Sequence, residues 1–129
     1  MDFKTFLLGL LICFFLSFLL GLERQYRRRF LGLRTMILVS VGSYLFVSFS
    51  FLLTGYQTDA SRIAAQVVAG IGFLGAGMIF VKRQSINGLT TAAGIWATAG
   101  IGMAIGAGMY FIGIGTMLLV VIIQMLLHL

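Results

Sequence analysis

The stretch FLLGLLICFFLSFLLGL, residues 6–22, contains no charged side chain and decides what kind of protein this is. An α-helix rises about 1.5 Å per residue, so about 20 apolar residues cross the roughly 30 Å hydrocarbon layer of a bilayer. Four more apolar segments follow it, and the five together predict an all-α membrane protein. The predicted fold is a single transmembrane domain, residues 1–129, with helices at about 6–22, 35–53, 61–81, 90–108 and 109–127.

The overall composition agrees with a lipid environment. Hydrophobic residues make up 60% of the chain and charged residues 9%, whereas an ordinary soluble domain is about 25% charged. A soluble globular protein of this length needs many more polar residues to cover its surface. The sequence therefore excludes a soluble globular protein and predicts the lipid bilayer as a partner.

The basic residues set the expected orientation. Nine Lys and Arg against three Asp and Glu give a net charge of +6, and the basic residues lie at the ends of the apolar segments. This placement indicates membrane topology rather than nucleic-acid binding. With the first and third loops in the cytoplasm, the N-terminus faces out, the C-terminus faces in, and seven basic residues lie inside against two outside. Those seven are Arg24, Arg27, Arg28, Arg29, Arg34, Lys82 and Arg83.

The three acidic residues all lie outside the middle of a span. Asp2 is terminal, Glu23 ends the first helix and Asp59 precedes the third. Proton and cation carriers generally place an ionisable group within the membrane, and Mg²⁺ sites use several oxygen ligands with carboxylates among them. A metal site and a monomeric cation carrier are therefore not expected. Rings of Glu23 or Asp59 in an oligomer would still line a pore, which keeps transport open.

Catalytic machinery is also missing from the sequence. The chain has one Cys and one His, and no set of Ser, His and Asp or pair of carboxylates that would support hydrolysis or redox chemistry. We expect a protein that is not an enzyme and binds no cofactor.

The densest group of polar residues precedes and enters the third helix. Asp59 is placed to cap that helix, where a negative charge is favourable. Arg62 and Gln66 are four residues apart and share one face. The group either caps the helix structurally or forms a functional surface.

Small residues recur at helical spacing in the third and fourth helices, where they let helix backbones approach closely in lipid. They serve either packing between these two helices or a contact between copies of the chain in a homo-oligomer. The first two helices are rich in Leu and Phe and are expected at the periphery. The stripes are Ala65, Ala69, Gly72 and Ala76, and Ala93, Ala97, Gly100 and Ala104; the helix-packing candidates are Gly70, Gly72, Gly75, Gly77, Gly102 and Gly106.

Three long blocks carry a family resemblance in the right order. They are GLERQYRRR with LGLRTMILVSVG, then DASRIAAQVVAGIGFLGAGMIF, then INGLTTAAGIWATAGIGMAIGAGMY. From Gly21 to Tyr110 the chain resembles the membrane domain of the MgtC/SapB family. The positions that match the family pattern are Gly21, Glu23, Arg24, Gly32, Arg34, Thr35, Asp59, Arg62, Ala64, Gln66, Gly70, Gly72, Phe73, Gly75, Ala76, Gly77, Asn87, Gly88, Leu89, Thr91, Ala92, Ala93, Trp96, Gly102 and Gly106.

The resemblance implies a multi-pass protein of the bacterial cytoplasmic (inner) membrane. Members of the family are associated with growth at low Mg²⁺ and with virulence, through survival inside macrophages. They are thought to bind other membrane proteins, including the F-type ATP synthase and a sensor kinase, rather than to carry Mg²⁺. The resemblance also implies a soluble cytoplasmic domain after the last helix, which these 129 residues do not include.

The function expected from residues and resemblance together is non-enzymatic regulation of membrane protein partners in magnesium or ion homeostasis. The alternatives are a small ion channel or transporter formed by an oligomer, and a membrane subunit of a larger complex. The candidate partner-contact or pore-lining residues are Glu23, Arg24, Arg34, Asp59, Arg62, Gln66, Asn87 and Thr91.

Overall fold

The computed structural model describes residues 3–26, 32–52 and 59–127, without the side chain of Ala60. The prediction of an all-α protein with five helices is confirmed, and a short β-hairpin is added to it. The elements are α1 (Phe3–Tyr26), α2 (Leu33–Leu52), α3 (Ala60–Ala76), β1 (Phe80–Lys82), β2 (Ser85–Asn87), α4 (Leu89–Gly106) and α5 (Tyr110–Leu126). The predicted basic run 27–29 and the predicted helix end at residue 53 lie outside the described residues.

Three of the helices, α1, α2 and α4, are long and apolar enough to cross a membrane. They contain 24, 20 and 18 residues. Helices α3 and α5 contain 17 residues each, which is about 25 Å of rise and less than the hydrocarbon thickness of about 30 Å. The chain is thus a membrane protein with three candidate spans and two shorter apolar helices.

Helix α3 ends earlier than predicted, at Ala76 instead of residue 81. Glycine is a poor helix former, and Gly75 and Gly77 flank this end. The last turn tightens through a bond from the Met78 N–H to the Gly75 carbonyl at 2.9 Å, which is the i to i+3 pattern of a helix terminus.

A β-hairpin follows α3, and its first strand contains residues 80 and 81, which were predicted to end this helix. β1 and β2 pair antiparallel, and their turn residues, Arg83 and Gln84, have φ of 53° and 66°. Two successive left-handed residues make the tight turn that suits the twist of a hairpin. Gly88 follows at φ 86°, and a side chain there would collide with the Met78 carbonyl oxygen. Glycine is therefore required where the hairpin returns to α4.

Helix α2 lies at the centre of the bundle, so the prediction of a peripheral second helix is wrong. It packs against α1, α3 and α4. A Cβ at Gly102 of α4 would collide with the Ser40 carbonyl oxygen, and one at Gly106 would lie 2.9 Å from the Tyr44 carbonyl oxygen. These four residues lie in the α2–α4 contact, in which two parallel helices meet backbone to backbone.

Helix α1 also packs against α2, through the same tyrosine. The Tyr44 hydroxyl donates to the Phe6 carbonyl at 2.9 Å, and the ring fills the space above Gly9, where a side chain would collide with it. Tyr44 is 1% exposed. Its hydroxyl is thereby satisfied inside an apolar core, as a buried polar group requires.

Candidate functional site

Close contacts between consecutive helices define the two ends of the bundle. A Cβ at Gly21 would lie 2.6 Å from the Leu33 Cα, and one at Gly75 would lie 3.5 Å from the Ala92 Cβ. The C-terminal ends of α1 and α3 therefore lie beside the N-terminal ends of α2 and α4. We call this the hairpin end, because the β-hairpin joins α3 to α4 there. The N-terminus of α3 lies at the opposite end.

Arg24, in the last turn of α1, is a buried charged residue at the hairpin end. Its side chain is 2% exposed, and its Nη2 donates to the Thr91 Oγ1 of α4 at 2.8 Å. Both residues are predicted site residues, and 67 positions separate them. A hydrogen bond from a charged donor is stronger than a neutral one, and burial of a charge is costly without such partners.

Two further residues complete this buried group. A Cβ at Gly94 would lie 3.7 Å from the Arg24 Nη1 and 3.5 Å from the Gln124 Nε2. The Gln124 Oε1 is buried without a hydrogen-bond partner among the described residues. Arg24, Thr91, Gly94 and Gln124 form the Arg24 cluster, which links α1, α4 and α5. Gln124 is not among the predicted site residues, although a polar side chain in the apolar sequence VVIIQMLL is a recognisable signal.

Three other predicted residues lie at the hairpin end. Glu23 is half-buried beside Arg24 in the sequence, and Arg34 is exposed in the first turn of α2. Asn87 is in β2, where its Nδ2 donates to the Ser85 carbonyl at 3.3 Å. That bond joins two residues of the same strand, so it is a local contact within β2.

The remaining polar candidates lie at the opposite end. Asp59 caps α3, with its carboxylate accepting from the Ser61 N–H at 2.9 Å and from the Ser61 hydroxyl at 2.8 Å. These two bonds, helped by the charge of Arg62, hold the pKa of Asp59 below its ordinary value. Arg62 and Gln66 are exposed on α3. This group is therefore separate from the Arg24 cluster.

The six glycines predicted to pack helices fall into three classes. Gly102 and Gly106 lie against α2, and Gly75 lies against α4. Gly77 is the C-cap of α3. Gly70 and Gly72 have no described atom within 4 Å of where a Cβ would stand. The last pair thus makes no close helix contact within the described part of the chain.

The first predicted stripe is an open surface of α3. Its four residues are all exposed, and we call them the α3 small-residue face: Ala65, Ala69, Gly72 and Ala76. The second stripe, on α4, is only partly open, with Ala93 and Gly100 exposed and Ala97 and Ala104 half-buried. The two stripes do not close on each other, because α4 turns its Gly102 and Gly106 toward α2 instead.

The chemistry available in this arrangement is hydrogen bonding and close packing. No group of three or more His, Cys, Asp or Glu side chains that could hold a metal ion occurs within residues 3–26, 32–52 and 59–127. The buried Arg24 cluster supplies donors and one unpaired acceptor, and the α3 small-residue face supplies a surface that another helix can approach.

Comparison with known proteins gives several relatives with clear identity. The chain is 54% identical over 102 residues to YhiD of Escherichia coli (strain K12), whose name proposes magnesium transport. It is 51% identical over 96 residues to protein MgtC of Brucella abortus (strain 2308) and 46% identical over 105 residues to protein MgtC of Salmonella typhimurium. These alignments cover 74%, 74% and 81% of this chain, but 47%, 40% and 45% of the relatives.

The chain therefore spans less than half the length of these curated relatives. No solved structure matches it. The MgtC family model matches residues 10–129, which is nearly the whole chain. On the strength of that match and of these identities, the chain belongs to the MgtC family.

Proposed function

We propose that this chain is a non-enzymatic, multi-pass protein of the bacterial inner membrane that regulates other membrane proteins in magnesium or ion homeostasis and, in pathogens, virulence. Membership of the MgtC family and similarity to a relative whose name proposes magnesium transport support the magnesium link. In the proposed topology all five helices cross the membrane, with the N-terminus out and the C-terminus in. The basic residues Arg34, Lys82 and Arg83 at the hairpin end support that orientation.

The observation that carries the regulatory role is the exposed α3 small-residue face. Lipid tails are as apolar as leucine, so helices in a membrane associate through close packing of small residues. A face of Ala and Gly that the described residues leave open is suited to a helix from another chain. The proposed partners are a second copy in a homo-oligomer, the F-type ATP synthase or a sensor kinase.

Growth at low Mg²⁺ tests the role. In a strain that lacks the gene and needs it for such growth, the chain should restore growth, and Gly72→Leu should abolish the rescue by blocking close approach to α3. Gly115→Leu on α5 is the matched control, because its site is also open within 4 Å, and it should rescue normally. Full rescue by Gly72→Leu would contradict the assignment of this face to a partner.

An ion channel or transporter formed by an oligomer is the second candidate. The observation that favours it is the presence of three buried hydroxyls on α2, those of Ser40, Ser43 and Ser48, because oxygen atoms within the membrane are the groups that coordinate cations in a channel. Reconstituted liposomes separate the two functions. The regulator should pass no Mg²⁺, K⁺ or H⁺, whereas flux that Glu23→Gln or Asp59→Asn abolishes would establish the transporter.

A further inference from the structure

The β-hairpin between α3 and α4 presents apolar side chains to the outside of the bundle. Phe80 and Val81 of β1 are 53% and 71% exposed, and Ile86 of β2 is 63% exposed. Val81 pairs with Ile86 across the two strands, and directly paired residues lie on the same face of a ribbon. The hairpin therefore carries an apolar surface that the described residues leave uncovered.

The turn of the same hairpin is positively charged. Lys82 ends β1 and Arg83 follows it in the turn, and both side chains are exposed. No acidic residue follows Asp59 in the sequence, so α3, the hairpin, α4 and α5 bring no carboxylate side chain to this turn. From Phe80 to Lys82 the strand advances about 7 Å. Over that short distance the hairpin changes from apolar to basic.

The connections of the hairpin fix its level at the end of the bundle. β1 starts at Phe80, shortly after α3 ends at Ala76, and α4 begins at Leu89. A Cβ at Gly88 would collide with the Met78 carbonyl oxygen, so the two ends of the hairpin are in contact. Helix α4 is long and apolar enough to cross a membrane. The hairpin therefore lies next to the surface of that membrane.

The hairpin is suited to neither the hydrocarbon layer nor bulk water. Each strand of a two-stranded ribbon has an outer edge whose backbone N–H and C=O groups lack a ladder partner. Such groups are costly in hydrocarbon, where no water binds them, whereas exposed valine and isoleucine are unfavourable in water. The polar layer on each side of a bilayer is about 5–8 Å thick, is hydrated and borders the acyl chains. It meets both requirements and matches the length over which the hairpin changes character.

We infer that the β-hairpin lies in this polar layer and binds anionic phospholipid. Val81 and Ile86 pack against the upper part of the acyl chains, as the apolar side chains of interfacial segments do. Lys82 and Arg83 lie beside the phosphate groups, and each basic residue near an anionic membrane surface strengthens binding about fivefold.

The charge of the turn favours a lipid over a second copy of the chain. Two hairpins in contact would bring two basic turns together, and like charges placed side by side oppose association. An anionic headgroup offers the opposite charge at the level where the turn lies. The inference does not depend on the proposed regulatory role, because the hairpin contacts the bilayer itself.

Fluorescence quenching in liposomes tests the contact. Ile86→Cys carries an environment-sensitive fluorophore, and the unsubstituted chain, whose Cys13 is buried, gives the background. The vesicles contain phosphatidylcholine or phosphatidylglycerol with a spin label on the acyl chain, either near the headgroup or near the chain end. Quenching should be stronger from the label near the headgroup. The same fluorophore on Gln84→Cys, in the turn, should be quenched less than on Ile86→Cys.

Two double variants test the role of charge. Spin-labelled phosphatidylglycerol should associate with the Ile86→Cys position more strongly than spin-labelled phosphatidylcholine, and Lys82→Gln with Arg83→Gln should lower that preference at least about fivefold. Lys4→Gln with Arg62→Gln is the matched control. It removes two exposed basic side chains from the opposite end of the bundle and should leave the preference unchanged.

Three results would overturn the inference. The first is equal quenching by the two lipids, and the second is a preference that the hairpin double variant leaves unchanged. The third is a fluorophore on Ile86→Cys that no spin-labelled lipid quenches. If iodide in the water also fails to quench that fluorophore, a protein contact covers the hairpin instead.

Discussion

Gly102 of α4 and Gly72 of α3 are the same residue type in the same kind of small-residue pattern, yet their surroundings are opposite. A side chain at Gly102 would collide with the Ser40 carbonyl oxygen, whereas no described atom lies within 4 Å of where one would stand at Gly72. One glycine is covered by α2 and the other lies on an exposed face. Small-residue spacing thus predicts that a helix face can be approached closely, but it does not predict whether the approaching helix belongs to the same chain.

Substitution of Gly102 should give the largest effect. Gly102→Ala forces α2 and α4 apart and should lower the free energy of unfolding by about 3 kcal/mol, the upper range for overpacking. Unfolding in detergent by a denaturing surfactant measures it. Gly100→Ala, also on α4 but open within 4 Å, is the control and should change stability by less than about 1 kcal/mol. Equal effects would show that the α2–α4 contact is not formed.

The same contrast between covered and open positions applies to the arginines at the hairpin end. Arg24→Met removes the charged donor to Thr91 and should cost about 2 kcal/mol in unfolding free energy, the range for hydrogen bonds to charged groups. Arg34→Met, at an exposed position, should change it by less than about 0.5 kcal/mol. The same unfolding assay compares the two, and a tolerated Arg24→Met would contradict a structural role for the cluster.

Gly72→Ala should stabilise the chain by about 0.5 kcal/mol, because alanine is a better helix former and loses less backbone entropy on folding. Thermal unfolding of the monomer in detergent is the measurement. A loss of stability instead would mean that the α3 small-residue face is covered within the chain, and the contrast with Gly102 would disappear.

The smallest effect concerns pH at the exposed end of α3. The pKa of Asp59 is held below its ordinary value by bonds from Ser61 and by Arg62, so its contribution is present above an unfolded pKa of about 3.9 and is lost as pH falls through the folded pKa. Asn caps helices as well as Asp, so Asp59→Asn should remove this pH dependence while α3 stays intact. Melting temperatures of both proteins across this acidic range test it; an identical acid response would contradict it.

Local sequence patterns were sufficient to predict most of the helices but not the C-terminal end of α3. The long apolar runs predict α1, α2, α4 and α5 to within a few residues, because a span of lipid demands continuous apolar sequence. The predicted end of α3 is wrong because Phe80 and Val81 continue the apolar run of a membrane helix but are also residue types common in strands. The left-handed turn at Arg83 and Gln84 distinguishes a hairpin from a continued helix, and neither residue type is one that predicts a left-handed conformation.

The candidate site was predictable in its members but not in its geometry. Arg24 and Thr91 are named from the family pattern, while their hydrogen bond joins positions 67 residues apart, beyond any local periodicity. Gln124 joins them only because α5 packs on the same end of the bundle. Asp59, with its partner two residues away, is the opposite case, since a capping contact is local and can be predicted from sequence.

The sequence by itself determined the solvent, the number of helices and the positions of the charges, because each follows from the composition of continuous segments. The tertiary structure decided that α2 is central, that Arg24 is buried, and that Gly102 is covered while Gly72 stays open. These outcomes depend on which helix faces meet, and that choice is made by the packing of all five helices together. Local periodicity identifies the faces that are available, and the shapes of the neighbouring helices select among them.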